Sequence, residues 1–336
     1  MDSPSRWNAW CTSSAALRFV DINLRGIGQV IFQDNPATGG LFLAAVAWGS
    51  FAAGAPHVLV AGIVAVVTGT LTAQWLRVDR AALAAGLYGY NAVLVGLALA
   101  TFLAPGPLLW AYVLLGAAVS VVVTIGTANV VKGWGGALTG PFVLTTWLLL
   151  LATYGFEGLA GTALPTAGVV MPFESVAATR LSTGAFVEGV LHSVSQVFLK
   201  GNLISALLLL AGLAVSSLAA AGFALGGAII AVVTAHLFGA ESDLIAGGLL
   251  GFSPVLTAVA LGTVFYQPGW RVGAYAALAT VFTVIAQAAL NVALTPFAIP
   301  ALTAPFVLVS WLFLLPRQSF DPVATATSEI VRPGSS

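Results

Sequence analysis

The sequence predicts an all-α polytopic membrane protein built as an inverted repeat, with five transmembrane helices and one re-entrant half-helix in each of two halves. Only 7% of the 336 residues are charged, whereas a soluble globular chain has about 25%. Hydrophobic residues make up 59% of the chain, and the mean hydropathy is +1.02. Similar segments also recur in the same order along two halves of the chain. The composition excludes soluble, disordered and nucleic-acid-binding proteins.

The remaining composition sets bounds on partners and covalent chemistry. Eleven basic and eleven acidic residues give a formal net charge of zero, so no nucleic acid or other charged partner is expected. Cys11 is the only cysteine, which excludes an intramolecular disulfide and a cysteine metal cluster. The 37 glycines favour close helix–helix packing or broken helices. The polar N-terminal segment, residues 1–13, lacks an apolar stretch, so no cleaved signal peptide is expected.

Apolar stretches between helix-breaking residues predict six membrane-embedded segments in each half, because one membrane helix needs about 20 residues. In the first half, residues 14–154, they lie near 14–33, 40–54, 58–77, 91–104, 108–128 and 138–153. In the second half, residues 183–316, they lie near 184–199, 203–221, 223–238, 253–266, 272–292 and 301–316. A more polar linker, residues 155–182, joins the halves, and a polar C-terminal tail follows at 317–336.

Three pairs of segments carry the internal repeat. LTGPFVLTTWLLL at 138–150 matches LTAPFVLVSWLFL at 302–314 in nine of thirteen positions, at an offset of 164. The other two pairs have offsets of 167 and 162: LRGIGQVIFQDN at 24–35 with LHSVSQVFLKGN at 191–202, and DRAALAAGLYGYN at 79–91 with ESDLIAGGLLGFS at 241–253. A constant order and a nearly constant offset indicate a duplicated membrane protein.

The last of these pairs predicts a re-entrant half-helix in each half. Each stretch begins at an acidic residue suited to an N-cap, Asp79 or Glu241, and ends at Tyr90 or Phe252. Both stretches are too short to span a bilayer, and a helix in a surface loop is the alternative. Five spans and one half-helix leave the ends of a half on opposite faces of the membrane. The halves would therefore be inverted, with a site near the midplane between them.

Charge favours one orientation in the membrane. Basic residues occur near both termini, at Arg6, Arg18, Arg25, Arg317 and Arg332, whereas the linker holds two glutamates and one arginine. Because positively charged segments tend to stay on the cytoplasmic side, both termini are predicted to be cytoplasmic and the linker external.

The sequence argues against an enzyme. Its three histidines share no metal-ligand spacing, and it contains no paired carboxylates and no glycine-rich phosphate loop, so neither a metal nor another cofactor is expected. Asp21 and Arg25, like Glu188 and His192, are four residues apart on a helix face. We interpret both as ion pairs near the membrane surface.

Polar residues repeated in both halves are candidates for a binding site. Gln29 and Gln196 occupy equivalent positions in apolar segments. An unpaired amide there is unfavourable, so they indicate either a site or an interhelical hydrogen bond. Thr139 and Thr303 each lie two residues before a proline, where a break in the helix would free backbone carbonyls.

At these residues the chain resembles the urea transporter family, and within it the channel-type bacterial members. The resemblance rests on four ordered motifs, LRGIGQVIFQDNP, GLYGYNAVLVG, LTGPFVLTTW and LTAPFVLVSW, and covers roughly residues 14–315. It implies a homotrimer in the lipid bilayer of the cytoplasmic (inner) membrane, with one pore in each protomer. It also implies that dehydrated urea passes down its gradient through a narrow filter in that pore.

The resemblance further implies which residues form the filter. Gln29 and Gln196 would hold urea at the two mouths, and Thr139 and Thr303 would face each other in the middle. The rest of the lining would be aromatic and aliphatic: Phe32, Tyr90, Leu94, Val197, Phe252 and Leu256.

Two departures from the family pattern concern the mouths of this filter. Tyr90 stands where some relatives have phenylalanine, which adds a hydroxyl near one mouth. Leu199 replaces the expected counterpart of Phe32, so the second mouth is less well defined.

Passive urea transport is the function that these residues favour. Urea is neutral and has four N–H donors, so side-chain and backbone oxygens can replace the water that it loses. A buried ion costs at least about 2.5–3.5 kcal/mol, and the predicted filter has no formal charge to offset this. A coupled secondary transporter of a small neutral amide is the alternative. An ammonium channel would need two histidines at equivalent positions of the repeat. A membrane enzyme would need reactive residues clustered on facing helices. The sequence shows neither.

Overall fold

The computed structural model describes residues 6–170 and 181–316, which form fifteen α-helices and, beside them, one isolated β-bridge. The first eight are α1 (Arg6–Ser13), α2 (Ala15–Gly28), α3 (Pro36–Ala52), α4 (Pro56–Trp75), α5 (Arg80–Ala84), α6 (Tyr90–Phe102), α7 (Pro107–Val130) and α8 (Gly140–Ala152). The other seven are α9 (Thr183–Ser195), α10 (Leu203–Ser216), α11 (Leu218–Leu237), α12 (Ser242–Ala246), α13 (Phe252–Val259), α14 (Trp270–Leu294) and α15 (Ala304–Leu314). The C-terminal tail and part of the linker, which carry some of the charges used to predict orientation, lie outside the described residues.

Four of the described helices, α4, α7, α11 and α14, are long and apolar enough to cross a bilayer alone. The pair α9 and α10 would be a fifth span if counted together, but it bends by 73°. The sequence predicted more full spans because short apolar helices have the same composition as long ones. α6, α8, α13 and α15 have only 8 to 13 residues. A 13-residue helix is about 20 Å long, shorter than the hydrocarbon core of about 30 Å. The architecture is that of a polytopic membrane protein with short helices in its interior.

Each stretch predicted to form a half-helix contains a short helix, which is shorter than expected. α5 and α12 contain five residues each. Asp79 caps α5 as predicted, since its carboxylate accepts a hydrogen bond from the Ala82 N–H at 2.8 Å. Glu241 occupies the N-cap position of α12, but its side chain makes no capping hydrogen bond. Both helices end near a glycine with a left-handed backbone, Gly86 (φ 76°) and Gly248 (φ 69°), a conformation that terminates helices.

Two predicted boundaries are wrong. Tyr90 and Phe252 do not end the half-helices; they are the first residues of α6 and α13, because the glycine turns separate them from α5 and α12. The segment predicted at 203–221 breaks at Ser217, whose backbone is extended and whose hydroxyl accepts a hydrogen bond from the Ala220 N–H. Ser217 is therefore the N-cap of α11, a role that serine favours.

Left-handed backbone positions recur in pairs along the two halves. Five pairs are separated by 162 to 167 residues: Phe32 and Leu199, Arg77 and Gly239, Gly86 and Gly248, Gly133 and Ala298, and Leu138 and Leu302. Non-glycine residues rarely adopt this conformation. Its recurrence at the offset of the sequence repeat indicates that the two halves share their turns as well as their helices.

Helices α3 and α10 hold the two halves together through reciprocal hydrogen bonds. The Thr38 hydroxyl donates to the Gly212 carbonyl at 2.8 Å, and the Ser205 hydroxyl donates to the Ala45 carbonyl, also at 2.8 Å. Ser205 is the repeat counterpart of Thr38, and Gly212 is that of Ala45, both at an offset of 167. Such reciprocity is the signature of an isologous, two-fold interface.

Two tryptophans repeat this reciprocity. The Trp147 indole N–H donates to the Pro300 carbonyl at 2.8 Å, and the Trp311 indole N–H donates to the Gly136 carbonyl at 2.9 Å. Trp311 is the repeat counterpart of Trp147, and Pro300 is that of Gly136, both at an offset of 164. Each half therefore satisfies partly buried polar groups of the other.

Candidate functional site

Thr139 and Thr303 meet between the two halves. Their Oγ1 atoms are 2.6 Å apart, and both side chains are buried. Each threonine is the N-cap residue of its helix, α8 or α15, and Pro141 and Pro305 lie in the first turns. The predicted helix break at these prolines is therefore wrong. Proline fits a first turn because its missing N–H would have no partner within the helix.

A backbone carbonyl lies beside the threonine pair in each half. Leu138 and Leu302, which precede the threonines, have left-handed φ angles of 50° and 51°. The Leu138 carbonyl accepts hydrogen bonds from the Tyr90 hydroxyl at 2.7 Å and from the Asn91 amide at 3.3 Å. No side-chain donor among the described residues reaches the Leu302 carbonyl. The Tyr90 hydroxyl thus occupies an acceptor in the first half, and the corresponding acceptor in the second half stays open to side-chain donors.

Gln29 and Gln196 make equivalent contacts with the short helices. Gln29 Nε2 donates to the Ala85 carbonyl at 2.9 Å, and Gln196 Nε2 donates to the Gly247 carbonyl at 3.1 Å. Ala85 and Gly247 are the C-cap residues of α5 and α12. Among the described residues, neither glutamine side-chain oxygen accepts a hydrogen bond. Each amide is held by its nitrogen and keeps its oxygen for another donor.

The remaining predicted site residues are aromatic or aliphatic. Phe32 packs edge-on against Phe306 of the other half, with ring centroids 6.1 Å apart. Leu94 and Leu256 lie one helical turn after Tyr90 and Phe252 and are at most 1% exposed, and Val197 is also buried. Side chains this buried leave little room for water around Leu94, Leu256 and Val197.

A cavity of about 550 Å³ brings together four of the ten predicted residues, Gln196, Val197, Phe252 and Thr303. The other six do not line it: Gln29, Phe32, Tyr90, Leu94, Thr139 and Leu256. Leu199 contributes to its wall, as does Phe142, the repeat counterpart of Phe306. The cavity therefore extends from Gln196 to Thr303.

Sequence reasoning missed three polar residues of this cavity, Gln287, Asn291 and Thr295. The Ser253 hydroxyl donates to Gln287 Oε1 at 2.7 Å, and Gln287 Nε2 donates to Asn291 Oδ1 at 3.0 Å. The available signal was that Gln287, like Gln29, is an amide inside an apolar helix. The repeat also pairs Gln287 with Thr124 of α7, at an offset of 163.

Charged groups lie outside this cavity. Arg25 pairs with Asp21 at 2.7 Å, as the sequence predicted, and also with Asp34 at 2.6 Å. The predicted pair of Glu188 and His192 does not form among the described residues. His192 Nδ1 lies 2.8 Å from the Ala246 carbonyl, while Glu188 is exposed.

No three histidine, cysteine, aspartate or glutamate side chains converge into a possible metal site in the described part of the chain.

Comparison with known proteins connects this arrangement to a family. The family described as "Urea transporter" matches residues 20–318. Urea transporter 1 of Ovis aries is 30% identical over 304 residues, which cover 89% of this chain and 77% of that protein. Urea transporter 1 of Rattus norvegicus is 31% identical over 306 residues, with the same coverage of both chains.

Proposed function

Because this chain belongs to the urea transporter family, is a multi-pass membrane protein that transports urea across membranes and is not an enzyme, we propose that it works as a passive, channel-type transporter. Urea would diffuse down its gradient through a narrow filter between the two halves, as in bacterial channel-type members. Coupled transport of a small neutral amide is the alternative. The two differ in whether an ion gradient drives uptake.

The free oxygens of Gln29 and Gln196 carry this proposal. Each amide nitrogen is already bonded to the end of a short helix, at 2.9 and 3.1 Å, so each side-chain oxygen has a fixed position. A fixed acceptor suits the N–H donors of urea and offers nothing to a solute that has only acceptors. One such oxygen at each mouth would replace water as urea enters or leaves.

The proposed filter continues inward from the two glutamines. Phe32 and Tyr90 would line one end of the filter, and Phe252 would line the other end opposite Val197, so that the flat molecule passes edge-on. At the centre, the leucine pair Leu94 and Leu256 would narrow the filter. The threonine pair Thr139 and Thr303, whose hydroxyls are close enough to bond each other, would lie there as well, beside the Leu302 carbonyl. A passing urea would exchange the threonine–threonine hydrogen bond for bonds to itself.

The lack of charge in this filter favours passive transport. None of its ten proposed residues is acidic or basic. Moving an ion through an uncharged, apolar constriction costs at least about 2.5–3.5 kcal/mol, whereas urea loses only hydrogen bonds that the oxygens restore. With no carboxylate among these residues to bind a proton or sodium, no coupling ion has a place in the filter.

The proposed membrane arrangement is an inverted repeat of residues 14–154 and 183–316. The reciprocal bonds of Thr38 with Gly212 and of Ser205 with Ala45 support a two-fold relation between these halves. An odd number of crossings in each half would place the axis in the membrane plane. We further propose a homotrimer in the inner membrane, with both termini cytoplasmic and the linker outside.

Liposome flux tests passive transport. Purified protein in liposomes should carry urea at a rate proportional to its gradient, and far faster than acetamide or ammonium. A proton or sodium gradient should leave the urea rate unchanged, because the filter has no group that binds either ion. Acceleration by one of these gradients would instead favour the coupled transporter.

Cysteine labelling tests the inverted arrangement. With Cys11 first replaced by Ser, Gln29→Cys and Gln196→Cys should react with a membrane-impermeant thiol reagent from opposite sides of the membrane. Gln74→Cys, at an exposed position near the end of α4, is the labelling control. Reaction of both glutamine variants from the same side would refute the inversion.

A further inference from the structure

Lys200 is a buried cation without a partner. It lies between the turn at Gln196–Phe198 and helix α10, and only 6% of it is exposed. Its ammonium group makes no hydrogen bond or ion pair within the described residues. The Lys200 nitrogen is not one of the fully buried polar atoms that lack a partner among the described residues, so the ammonium reaches open space while its stem is buried. A cation in such apolar surroundings is stabilised by an anion beside it.

The surrounding structure is adapted to this side chain. A β-carbon at Gly49 of α3 would lie 2.9 Å from Ser205 Oγ and 3.0 Å from the Lys200 Cγ and Cδ atoms, so Gly49 packs closely against the lysine stem. The repeat counterpart of Lys200, at an offset of 167, is Gln33. Gln33 is also buried, but its amide donates to the Ile31 carbonyl at 2.8 Å. The second half thus has an unpaired cation where the first has a satisfied neutral amide.

Lys200 lines a cavity of about 440 Å³ that is distinct from the one containing Gln196. His57 and Asn202 also line it, and none of its described lining residues is acidic. Asn202 caps α10, a helix of 14 residues, whose N-terminus adds a partial positive charge. The cavity therefore combines a full and a partial positive charge with no protein anion.

We propose that this cavity binds one small, singly charged anion, held by the Lys200 ammonium at the N-terminus of α10. A single negative charge balances the lysine, whereas a divalent anion would leave net charge in an apolar environment. A free inorganic anion and the phosphodiester of a lipid headgroup both carry that charge. Leu199 lines both cavities, so the anion lies beside the proposed urea path and not in it.

Thermal unfolding of the full-length protein in an uncharged detergent tests this site independently of urea flux. Increasing sodium chloride should raise the unfolding temperature of the wild type by about 3 °C and then saturate, because an anion that binds only the folded state stabilises it. Lys200→Gln, which copies the residue of the first half, should abolish the saturable rise. Lys200→Arg should preserve it, and so should Lys132→Gln, which removes an exposed charge. Because all variants are compared at the same salt concentration, general effects of salt on stability are the same in each and drop out of the differences.

A second series identifies the source of the anion. Phosphatidylglycerol added without chloride should give the same Lys200-dependent shift if the ligand is a lipid headgroup, whereas a shift with chloride alone assigns a free anion. The proposal is overturned if neither ligand produces a saturable shift in the wild type, or if Lys200→Gln retains the shift. If Lys200→Gln does not fold, Lys200→Met keeps the apolar stem and takes its place, with the same two outcomes.

Discussion

Gln29→Lys and Gln196→Lys are each expected to reduce urea flux by about tenfold or more while the protein stays folded. The ammonium would donate to the Ala85 or Gly247 carbonyl that the amide now contacts. A cation is stabilised at the C-terminal end of a helix, so folding should tolerate the change. Lysine has no acceptor, so urea loses the oxygen at that mouth. One unreplaced hydrogen bond costs roughly 1–3 kcal/mol, and about 1.4 kcal/mol corresponds to tenfold in rate.

Gln74→Lys is the matched control for these variants. It adds the same charge at an exposed position on α4 and should leave flux unchanged. Stopped-flow urea efflux from proteoliposomes, normalised to the amount of folded protein, is the measurement. Normal flux in both Gln29→Lys and Gln196→Lys would remove the glutamines from the transport path.

The double substitution Thr139→Val with Thr303→Val is expected to lower urea flux by about tenfold or more. Valine keeps nearly the same shape but removes the two hydroxyls that now lie 2.6 Å apart. Urea would then cross the most deeply buried part of the filter with only backbone acceptors. Each single variant should have a smaller effect. Removing one hydroxyl breaks the threonine–threonine hydrogen bond, so the remaining hydroxyl becomes free to bond urea.

Thr145→Val is the control on the same helix as Thr139. The Thr145 hydroxyl is buried and has no hydrogen-bond partner, so its removal should preserve flux and stabilise the protein by about 1 kcal/mol. Flux at the wild-type level in the threonine double variant, measured in the same proteoliposome assay, would exclude these threonines from the path.

The sequence was sufficient to predict features that depend on composition or on local pattern. The apolar composition and the repeated segments predicted an all-helical membrane protein with two similar halves. The Asp79 cap and the pair of Asp21 with Arg25 also followed from local spacing, and the structure contains both. Equivalence in the repeat singled out Thr139 and Thr303, which lie in direct contact.

Features that depend on tertiary contacts were not predictable in this way. Leucine rarely adopts a left-handed backbone, so nothing in the sequence indicated the turns at Leu138 and Leu302. Gln287 was overlooked because its counterpart in the first half is not an amide. The stem of Lys200 packs against Gly49, a residue from a different helix and the other half of the chain, so its burial has no local signal in the sequence.

The reciprocal tryptophan bonds have a consequence for biosynthesis. Trp147 enters the membrane before the ribosome has translated Pro300, whose carbonyl accepts its indole hydrogen bond. The Thr38 hydroxyl likewise has no partner until Gly212, whose carbonyl accepts its hydrogen bond, has been synthesised. Polar groups without partners are unfavourable in lipid, so the first half cannot reach its final packing when it is inserted. The first half gains its last hydrogen bonds only after the second half has been inserted. A chain truncated between the two halves would keep these polar groups unpaired and exposed to cellular quality control.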